Sequence, residues 1–158
     1  FISPFPPFVV SPYDSPGFDD SWLITWGESF IFSETANDAP PSWSEIPPEG
    51  NDIRAFNVWV NDKEYWAYAA DQEGIWYSTD AGDNFTSWYA FGYTLSYAAL
   101  FERNGDGSLK TVLIHDRVTD TLKLINGINE SDKTGNLNSV APGFTYVSHF
   151  ERDTIGSA

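Results

Sequence analysis

The sequence predicts an all-β fold, and three observations support this prediction. Aromatic side chains, which favour strands, are abundant, with seven Trp, eight Tyr and twelve Phe. Twelve Gly and ten Pro suit short strands joined by tight turns. No stretch carries the 3.6-residue apolar period of an amphipathic helix, so we expect little helix. A chain of 158 residues has the length of a single domain with one core.

Short aromatic and β-branched runs, separated by turn residues, mark the predicted strands. In chain order these strands are 8–10, 21–25, 29–32, 55–60, 64–69, 74–78, 86–89, 96–102, 110–115 and 121–125. The pairs Asn61-Asp62 and Asn104-Gly105 lie between consecutive strands and suit the turns of antiparallel hairpins. The sequence therefore predicts sheets built from strands that are neighbours along the chain.

An internal repeat groups these strands into units. Gly27 aligns with Gly74, 47 positions later, and the residues around each glycine align as well. Residues 100–104, Leu-Phe-Glu-Arg-Asn, recur after 49 positions as residues 149–153, His-Phe-Glu-Arg-Asp. The predicted units are 8–50, 51–92, 93–143 and a partial unit at 144–158. A period of this size matches one four-stranded blade of a β-propeller.

A short motif in the second unit predicts a rigid hairpin. Residues 78–85 read Ser-Thr-Asp-Ala-Gly-Asp-Asn-Phe and follow an apolar strand. Ser78 and Asp80 carry short oxygen side chains that bond nearby backbone N–H groups and hold a turn. Gly82 takes the positive φ that such a turn needs without steric cost, and Phe85 is placed to cover the hairpin. We expect Asp80 to be a turn acceptor rather than a catalyst.

This motif resembles the Asp-box, or BNR repeat, Ser-x-Asp-x-Gly-x-x-aromatic, of sialidase-like and sortilin-type β-propellers. One position differs, because Asn84 stands where family members usually have threonine. The resemblance implies consecutive four-stranded antiparallel blades, with the box at the blade perimeter and away from the central pocket. A two-sheet β-sandwich is the alternative fold.

The number of predicted blades indicates that the ring needs partner chains to close. The chain holds about three blades and a fragment, whereas propellers close with four to eight. Blades that do not close into a ring leave apolar faces in water, and this exposure costs a free energy of roughly 25 cal/mol for each Å² of apolar surface. We therefore expect other protein chains, or copies of this chain, to complete the ring.

Charge and composition exclude several classes of partner. A formal charge of −15 with eight Lys and Arg residues excludes a basic groove for nucleic acid. No apolar run approaches the roughly 18 residues of a membrane span, so membrane insertion is not expected. The absence of Cys excludes disulfides and thiolate metal sites. N-glycosylation sequons at Asn84 and Asn129 favour a secreted glycoprotein, and we expect an extracellular or cell-surface location.

Sialidase chemistry is the enzymatic hypothesis that the resemblance raises. Enzymes of that group use three arginines, a tyrosine nucleophile with a glutamate partner, and an aspartate acid. The arginines of this chain are Arg54, Arg103, Arg117 and Arg152. The Arg-Ile-Pro signature is absent, and Arg103 and Arg152 hold equivalent repeat positions, which favours a structural role. His115 and His149 lie outside known catalytic motifs, so no catalytic residue is predicted.

One turn has the spacing of a cation site. Glu102, Asn104 and Asp106 alternate along the chain and are followed by glycine, a pattern that resembles calcium-binding loops. Lys110, at the ninth position, would direct a cation at the metal. A weak calcium site and a solvated hairpin turn are the two interpretations, and no other cofactor is predicted.

Aromatic residues concentrate in the second unit. Trp and Tyr rings stack on sugars and anchor protein interfaces. The candidate ligand-binding aromatics are Trp59, Trp66, Tyr68, Trp76 and Trp88. Packing between adjacent sheets is the competing role for the same rings.

These observations predict a non-catalytic recognition or assembly module outside the cell, built from Asp-box blades. An oligomeric lectin that binds carbohydrate and a fragment of a sialidase-like glycosidase are the alternatives. Assembly into a fibre or coat is a third, favoured by the Pro-rich arm at residues 1–8. Such an extended arm suits contact with a neighbouring subunit or a link to a preceding blade.

Overall fold

The computed structural model describes residues 8–10, 23–26, 30–33, 40, 42–46, 52–60, 64–135, 147 and 150. Within these residues every regular element is a β-strand, so the all-β prediction is confirmed. Most of the Pro-rich arm and, apart from Val147 and Phe150, the partial unit at 144–158 lie outside the described residues.

The strands form three sheets. The first contains Phe8–Val10 (β1), Leu23–Trp26 (β2), Phe30–Ser33 (β3) and Ser44–Ile46 (β4). The second contains Ile53–Val60 (β5), Glu64–Ala70 (β6), Gly74–Ser78 (β7) and Thr86–Ala90 (β8). The third contains Leu95–Arg103 (β9), Leu109–Asp116 (β10), Thr121–Ile125 (β11) and Glu130–Asp132 (β12).

All three sheets have the same topology. In each of them every strand pairs antiparallel with the next strand along the chain, and no sheet closes on itself. The strand prediction missed β4 and β12. Each has three residues that are mostly polar, Ser-Glu-Ile in β4 and Glu-Ser-Asp in β12, so neither contains the apolar run that marks a strand.

Phe30 joins the first sheet to the second. Its side chain is fully buried, and its ring centroid lies 4.8 Å from that of Phe56 and 5.2 Å from that of Tyr68. Phe85 stacks on it at 5.7 Å. Tilted, edge-on and offset contacts of this kind stabilise aromatic clusters. Phe30 of β3 therefore occupies an aromatic pocket built by the second sheet.

The opposite side of the second sheet packs on the third. Because side chains alternate along a strand, Trp66 and Tyr68 of β6 face Phe30, while Ala67 and Ala69 face the other way. The alanines join a buried cluster that extends into the third sheet. Its other fully or largely buried members are Ile75, Leu95, Leu109, Val112, Ile114 and Ile125.

Backbone hydrogen bonds also tie the second sheet to the third. The N–H of Gln72 donates to the carbonyl of Tyr93 at 2.8 Å, and the N–H of Phe91 donates to that of Glu73 at 3.0 Å. The first strands of the two sheets, β5 and β9, contact each other directly. These bonds fix the β6–β7 turn beside the connection that leads from β8 into β9.

Candidate functional site

The β7–β8 hairpin is closed by the side chain of Ser78. Its oxygen accepts the backbone N–H groups of Gly82 at 3.0 Å and Asp80 at 3.2 Å. Its hydroxyl hydrogen is donated to Oδ1 of Asp80 at 2.6 Å. Only 2% of the Ser78 surface is exposed, so water does not compete strongly for these bonds. The Ser78 side chain therefore accepts two backbone N–H groups that have no strand partner in the turn.

Asp80 holds the far side of the same turn. Its carboxylate accepts the backbone N–H of Asn84 at 3.0 Å and the side-chain Nδ2 of Asn84 at 2.7 Å. Burial by itself raises the pKa of the Asp80 carboxyl, but the hydrogen bonds from Ser78 and Asn84 outweigh burial and hold the pKa below its ordinary value. Hydrogen bonds to the charged form have this effect, so Asp80 is an ionised acceptor. Asn84, the departure from the motif, supplies two of those bonds, one from its backbone N–H and one from its side-chain Nδ2.

Gly82 and Phe85 attach the hairpin to the aromatic core. Gly82 has a φ of +87°, and a Cβ at this position would lie 2.7 Å from the ring of Trp66. Only glycine combines that φ with such a close approach. Phe85 contacts Phe30, and it meets Tyr68 edge-on at 5.0 Å. The structure thus brings together all four residues of the predicted hairpin, which are Ser78, Asp80, Gly82 and Phe85.

Two of the five predicted ligand-binding aromatics are core residues. Trp66 and Tyr68 are fully buried, because alternation along β6 directs them at the first sheet, so neither offers a ring face to a sugar. Their ligand role is corrected to a packing role. Trp76 is half-buried and stacks on Tyr68 at 5.4 Å. Trp88 is half-buried and lies against Gly127, in the β11–β12 turn.

Trp59, the fifth aromatic, is half-buried at the end of β5. It stacks on Tyr65, with ring centroids 6.3 Å and planes 9° apart. The guanidinium of Arg103 lies 5.7 Å from its ring centroid, within the range of a cation–π contact. The indole Nε1 is buried and has no hydrogen-bond partner among the described residues. All five aromatics are therefore in contact with other parts of the chain.

The polar side chains of the turn after β9 form hydrogen bonds with one another and with the flanking strands. Oδ1 of Asp106 accepts both the backbone N–H and the hydroxyl of Ser108, at 3.0 and 2.6 Å. Asn104 donates Nδ2 to the same hydroxyl at 2.9 Å. Glu102 accepts Nζ of Lys110 at 3.3 Å. Asn104 and Asp106 thus meet at the hydroxyl of Ser108, whereas Glu102 bonds Lys110. The described residues contain no group of three acidic, His or Cys side chains able to hold a metal.

Arg54 lies between two aspartates at the start of β5. Its Nη2 is 2.5 Å from Asp52 and 3.3 Å from Asp71. Asp71 also accepts the backbone N–H of Leu95 at 2.6 Å, and the guanidinium carbon lies 4.6 Å from the ring centroid of Tyr97. Only 8% of Arg54 is exposed. The cluster joins β5, the β6–β7 turn and β9, so Arg54 holds the second and third sheets together.

A buried Ser-His-Asp chain was not predicted. Oγ of Ser96 lies 2.7 Å from Nδ1 of His115, and Nε2 of His115 lies 3.0 Å from Oδ1 of Asp120. Ser96 also accepts the backbone N–H of Val147 at 3.0 Å. The carboxylate can only accept, so Nε2 carries a hydrogen and, in the neutral ring, Nδ1 accepts the serine hydroxyl. Hydrogen bonds therefore run from Val147 through Ser96 and His115 to Asp120.

This Ser-His-Asp arrangement is not suited to nucleophilic catalysis. Ser96 and His115 have no exposed surface, so no substrate reaches the hydroxyl. The sequence pattern did not predict these hydrogen bonds, because Ser96 and His115 are 19 residues apart and belong to no catalytic motif. The bend in β9–β10 pairing that brings them together, a register shift between Ile114 and Asp116, is not visible in the sequence pattern.

A tyrosine–glutamate pair lies between the second and third sheets. The hydroxyl of Tyr93 is 2.8 and 2.7 Å from the two carboxylate oxygens of Glu130. Nζ of Lys123 is 3.1 Å from Glu130 and 4.6 Å from the ring centroid of Tyr93. The hydrogen bond to Glu130, followed by burial, raises the pKa of Tyr93 to about 12. The pair therefore joins the connection between β8 and β9 to β11 and β12 of the third sheet.

The two sequons differ in their surroundings. Asn84 is exposed, but its Nδ2, the atom that glycosylation modifies, donates to Asp80. Asn129 is exposed in the β11–β12 turn, where its backbone N–H donates to Oδ1 of Asn126 at 2.7 Å. The side chain of Asn129 is thus the more accessible acceptor for a glycan.

The described part of the chain contains no helix with the length and apolar character needed to cross a bilayer. No protein-family model matches the chain, and neither a curated protein nor a solved structure matches it.

Proposed function

We propose that the chain is a run of Asp-box propeller blades and serves as a non-catalytic recognition or assembly module outside the cell. The hairpin of Ser78, Asp80 and Gly82 carries this proposal. It joins the third and fourth strands of a four-stranded meander, and its side chains make the bonds that the motif requires. This agreement between motif, hydrogen bonds and strand order supports the resemblance to Asp-box proteins.

The arrangement of the sheets favours a propeller over a β-sandwich. The same four-strand order occurs three times, and the middle sheet packs on both neighbours. A sandwich has two sheets, whereas a propeller repeats one sheet around an axis. The contact between β5 and β9, the first strands of adjacent sheets, is what a shared axis requires.

The polar clusters support the non-catalytic part of the proposal. Arg54 is bonded to two aspartates, Ser96 and His115 are fully buried, and Tyr93 is hydrogen-bonded to Glu130. Each of these groups holds two elements of the fold together. The sialidase-like alternative would require a nucleophile and arginines open to a substrate.

Completion of the ring is the expected mode of assembly. The residues that the structure describes form three sheets, fewer than the roughly four to eight that close a propeller. Other chain segments or copies of this chain are therefore the proposed partners. The charge of −15 favours partner surfaces with a complementary, basic character.

Light scattering over a wide range of protein concentration tests this proposal. We expect a defined oligomer, or a defined complex once a partner chain is added. A lone, well-folded monomer would contradict completion by copies of the chain. Turnover of a fluorogenic glycoside that Arg54→Ala abolishes would contradict the non-catalytic assignment.

A further inference from the structure

Two Asn-Gly pairs lie in hairpin turns of the third sheet. Asn104-Gly105 belongs to the β9–β10 turn and Asn126-Gly127 to the β11–β12 turn, and both asparagines are exposed. In such a pair the backbone nitrogen of the glycine can attack the side-chain carbon Cγ of the asparagine, because glycine has no Cβ to obstruct the approach. The two pairs therefore carry the same reactive groups, and the fold decides how each pair is held.

The side-chain oxygen of Asn126 accepts two backbone hydrogen bonds. Its Oδ1 lies 3.1 Å from the nitrogen of Ile128 and 2.7 Å from the nitrogen of Asn129, and both N–H groups donate to it. The backbone N–H of Asn126 donates to the carbonyl of Asn129 at 3.0 Å and closes the turn. Gly127, between them, has a φ of +83°, which glycine adopts without steric cost.

These two donors are directed at the atom that becomes charged when Cγ is attacked. As the nitrogen of Gly127 bonds to Cγ of Asn126, the Cγ–Oδ1 double bond is lost and Oδ1 becomes an oxyanion. Hydrogen-bond donors that are already in place around a developing oxyanion lower the barrier to its formation. The β11–β12 turn therefore provides the two N–H groups that this reaction needs.

Asn104 is held through the opposite end of its amide group. Its Nδ2 donates to Oγ of Ser108 at 2.9 Å, and its backbone N–H donates to the carbonyl of Ser108 at 2.8 Å. Among the residues that the structure describes, none donates a hydrogen bond to Oδ1 of Asn104. An oxyanion formed at Asn104 would therefore lack the two backbone donors that Asn126 has.

We propose that Asn126 is a site of self-catalysed modification, at which the turn promotes deamidation of its own side chain. The nitrogen of Gly127 forms a bond to Cγ, the Cγ–Nδ2 bond breaks, and Nδ2 leaves as ammonia with the hydrogen of the Gly127 N–H. Water then opens the resulting cyclic imide at either carbonyl and yields aspartate or isoaspartate in place of Asn126. Solvent reaches the site, because Asn126 is exposed and Ile128 is 86% exposed.

The two products differ in their effect on the hairpin. An aspartate retains an oxygen that accepts the N–H groups of Ile128 and Asn129. An isoaspartate adds a carbon to the backbone and displaces the N–H of residue 126 from the carbonyl of Asn129. Because Glu130 follows directly and bonds Tyr93, isoaspartate should also loosen the contact between β12 and the β8–β9 connection.

Peptide mapping by mass spectrometry, after incubation of the full chain at mildly alkaline pH, tests the proposal. In the folded chain we expect Asn126 to deamidate about tenfold faster than Asn104. In concentrated urea neither turn is formed, and the ratio of the two rates should fall towards one because both asparagines precede glycine. A ratio in the folded chain no larger than the ratio in urea would overturn the proposal.

Two variants of Ile128 provide the matched comparison. Ile128→Pro removes the N–H that donates to Oδ1 of Asn126 and should slow deamidation of Asn126 several-fold. Ile128→Ala keeps that N–H, changes only an exposed side chain, and should leave the rate unchanged. An unchanged rate in Ile128→Pro would overturn the proposal.

Asn104 is the internal reference in both variants, because it lies in a different turn. If Ile128→Pro also changes the rate at Asn104, the variant has disturbed the third sheet. The comparison of the folded chain with the chain in urea then decides the question. The proposal concerns one turn within one chain, so it stands whether or not the sheets belong to a propeller.

Discussion

The hydroxyl of Ser78 lies 2.6 Å from Oδ1 of Asp80 and donates its hydrogen to it. The oxygen of the same hydroxyl accepts the backbone N–H of Gly82. Donating to the carboxylate polarises the hydroxyl and strengthens it as an acceptor. The two side chains therefore act as one unit that closes the β7–β8 turn from both sides.

Removing the carboxylate should break this unit. Asp80→Ala leaves the Ser78 hydroxyl and two N–H groups of Asn84 without their acceptor. We expect the free energy of unfolding to fall by about 1–3 kcal/mol, measured by urea denaturation. Asp83→Ala, an exposed aspartate of the same turn, is the control and should change stability by less than about 0.5 kcal/mol. Equal effects of the two variants would contradict a special role for Asp80.

The lowered pKa of Asp80 predicts a pH dependence. A carboxyl whose pKa is lower in the folded state stabilises the fold fully above its unfolded pKa of about 4. That contribution is lost as the pH falls through the lower, folded pKa. The stability difference between the unmodified chain and Asp80→Asn should therefore be constant near neutral pH and shrink below about pH 4. A difference that stays constant at acid pH would contradict the assignment.

Sequence patterns predicted the longer elements of this fold because those patterns are local. Alternating and aromatic runs placed β6 and β7, and the motif residues placed the hairpin that follows β7. Strand β12 could not be predicted, since its three residues, Glu130–Asp132, are polar. Its position depends on pairing with β11, which is a tertiary property.

The hairpin was predictable in residue detail, whereas the clusters between sheets were not. Ser78 and Asp80 are two residues apart, so their contact follows from local turn geometry. Ser96 and His115 meet only because β9 and β10 pair with an irregular register. The ligand role predicted for Trp66 failed for a related reason. Aromatic content does not tell which face of a strand a neighbouring sheet covers.

Gly82 should not tolerate a side chain. Its φ of +87° disfavours any other residue, and a Cβ would lie 2.7 Å from the Trp66 ring. We expect Gly82→Ala to reduce the free energy of unfolding by about 1–3 kcal/mol and to alter tryptophan fluorescence. Gly105→Ala is the control, because a Cβ there meets nothing within 4 Å. A neutral Gly82→Ala would contradict the close packing of the turn on β6.

Tyr93 should ionise late in an alkaline titration. Its pKa of about 12 exceeds the value of about 10 for an unfolded tyrosine, so its contribution to stability is full below about pH 10 and is lost as the pH rises towards 12. Subtracting the ultraviolet titration of Tyr93→Phe from that of the unmodified chain isolates this group. Glu130→Ala removes the hydrogen bond, which is the largest cause of the shift, and should bring the pKa of Tyr93 down. Ionisation of Tyr93 near pH 10 in the unmodified chain would contradict the hydrogen bond between Tyr93 and Glu130.

Phe30 should stabilise the contact between the first and second sheets. Phe30→Ala removes a fully buried ring from an aromatic pocket and should cost about 3–5 kcal/mol of unfolding free energy. Ile31→Ala changes the next residue, which is 41% exposed, and should cost less than about 1 kcal/mol. Thermal and urea denaturation of the two variants make the comparison. Because adjacent residues of a strand face opposite sides, similar losses for both variants would mean that β3 does not pack on the second sheet through Phe30.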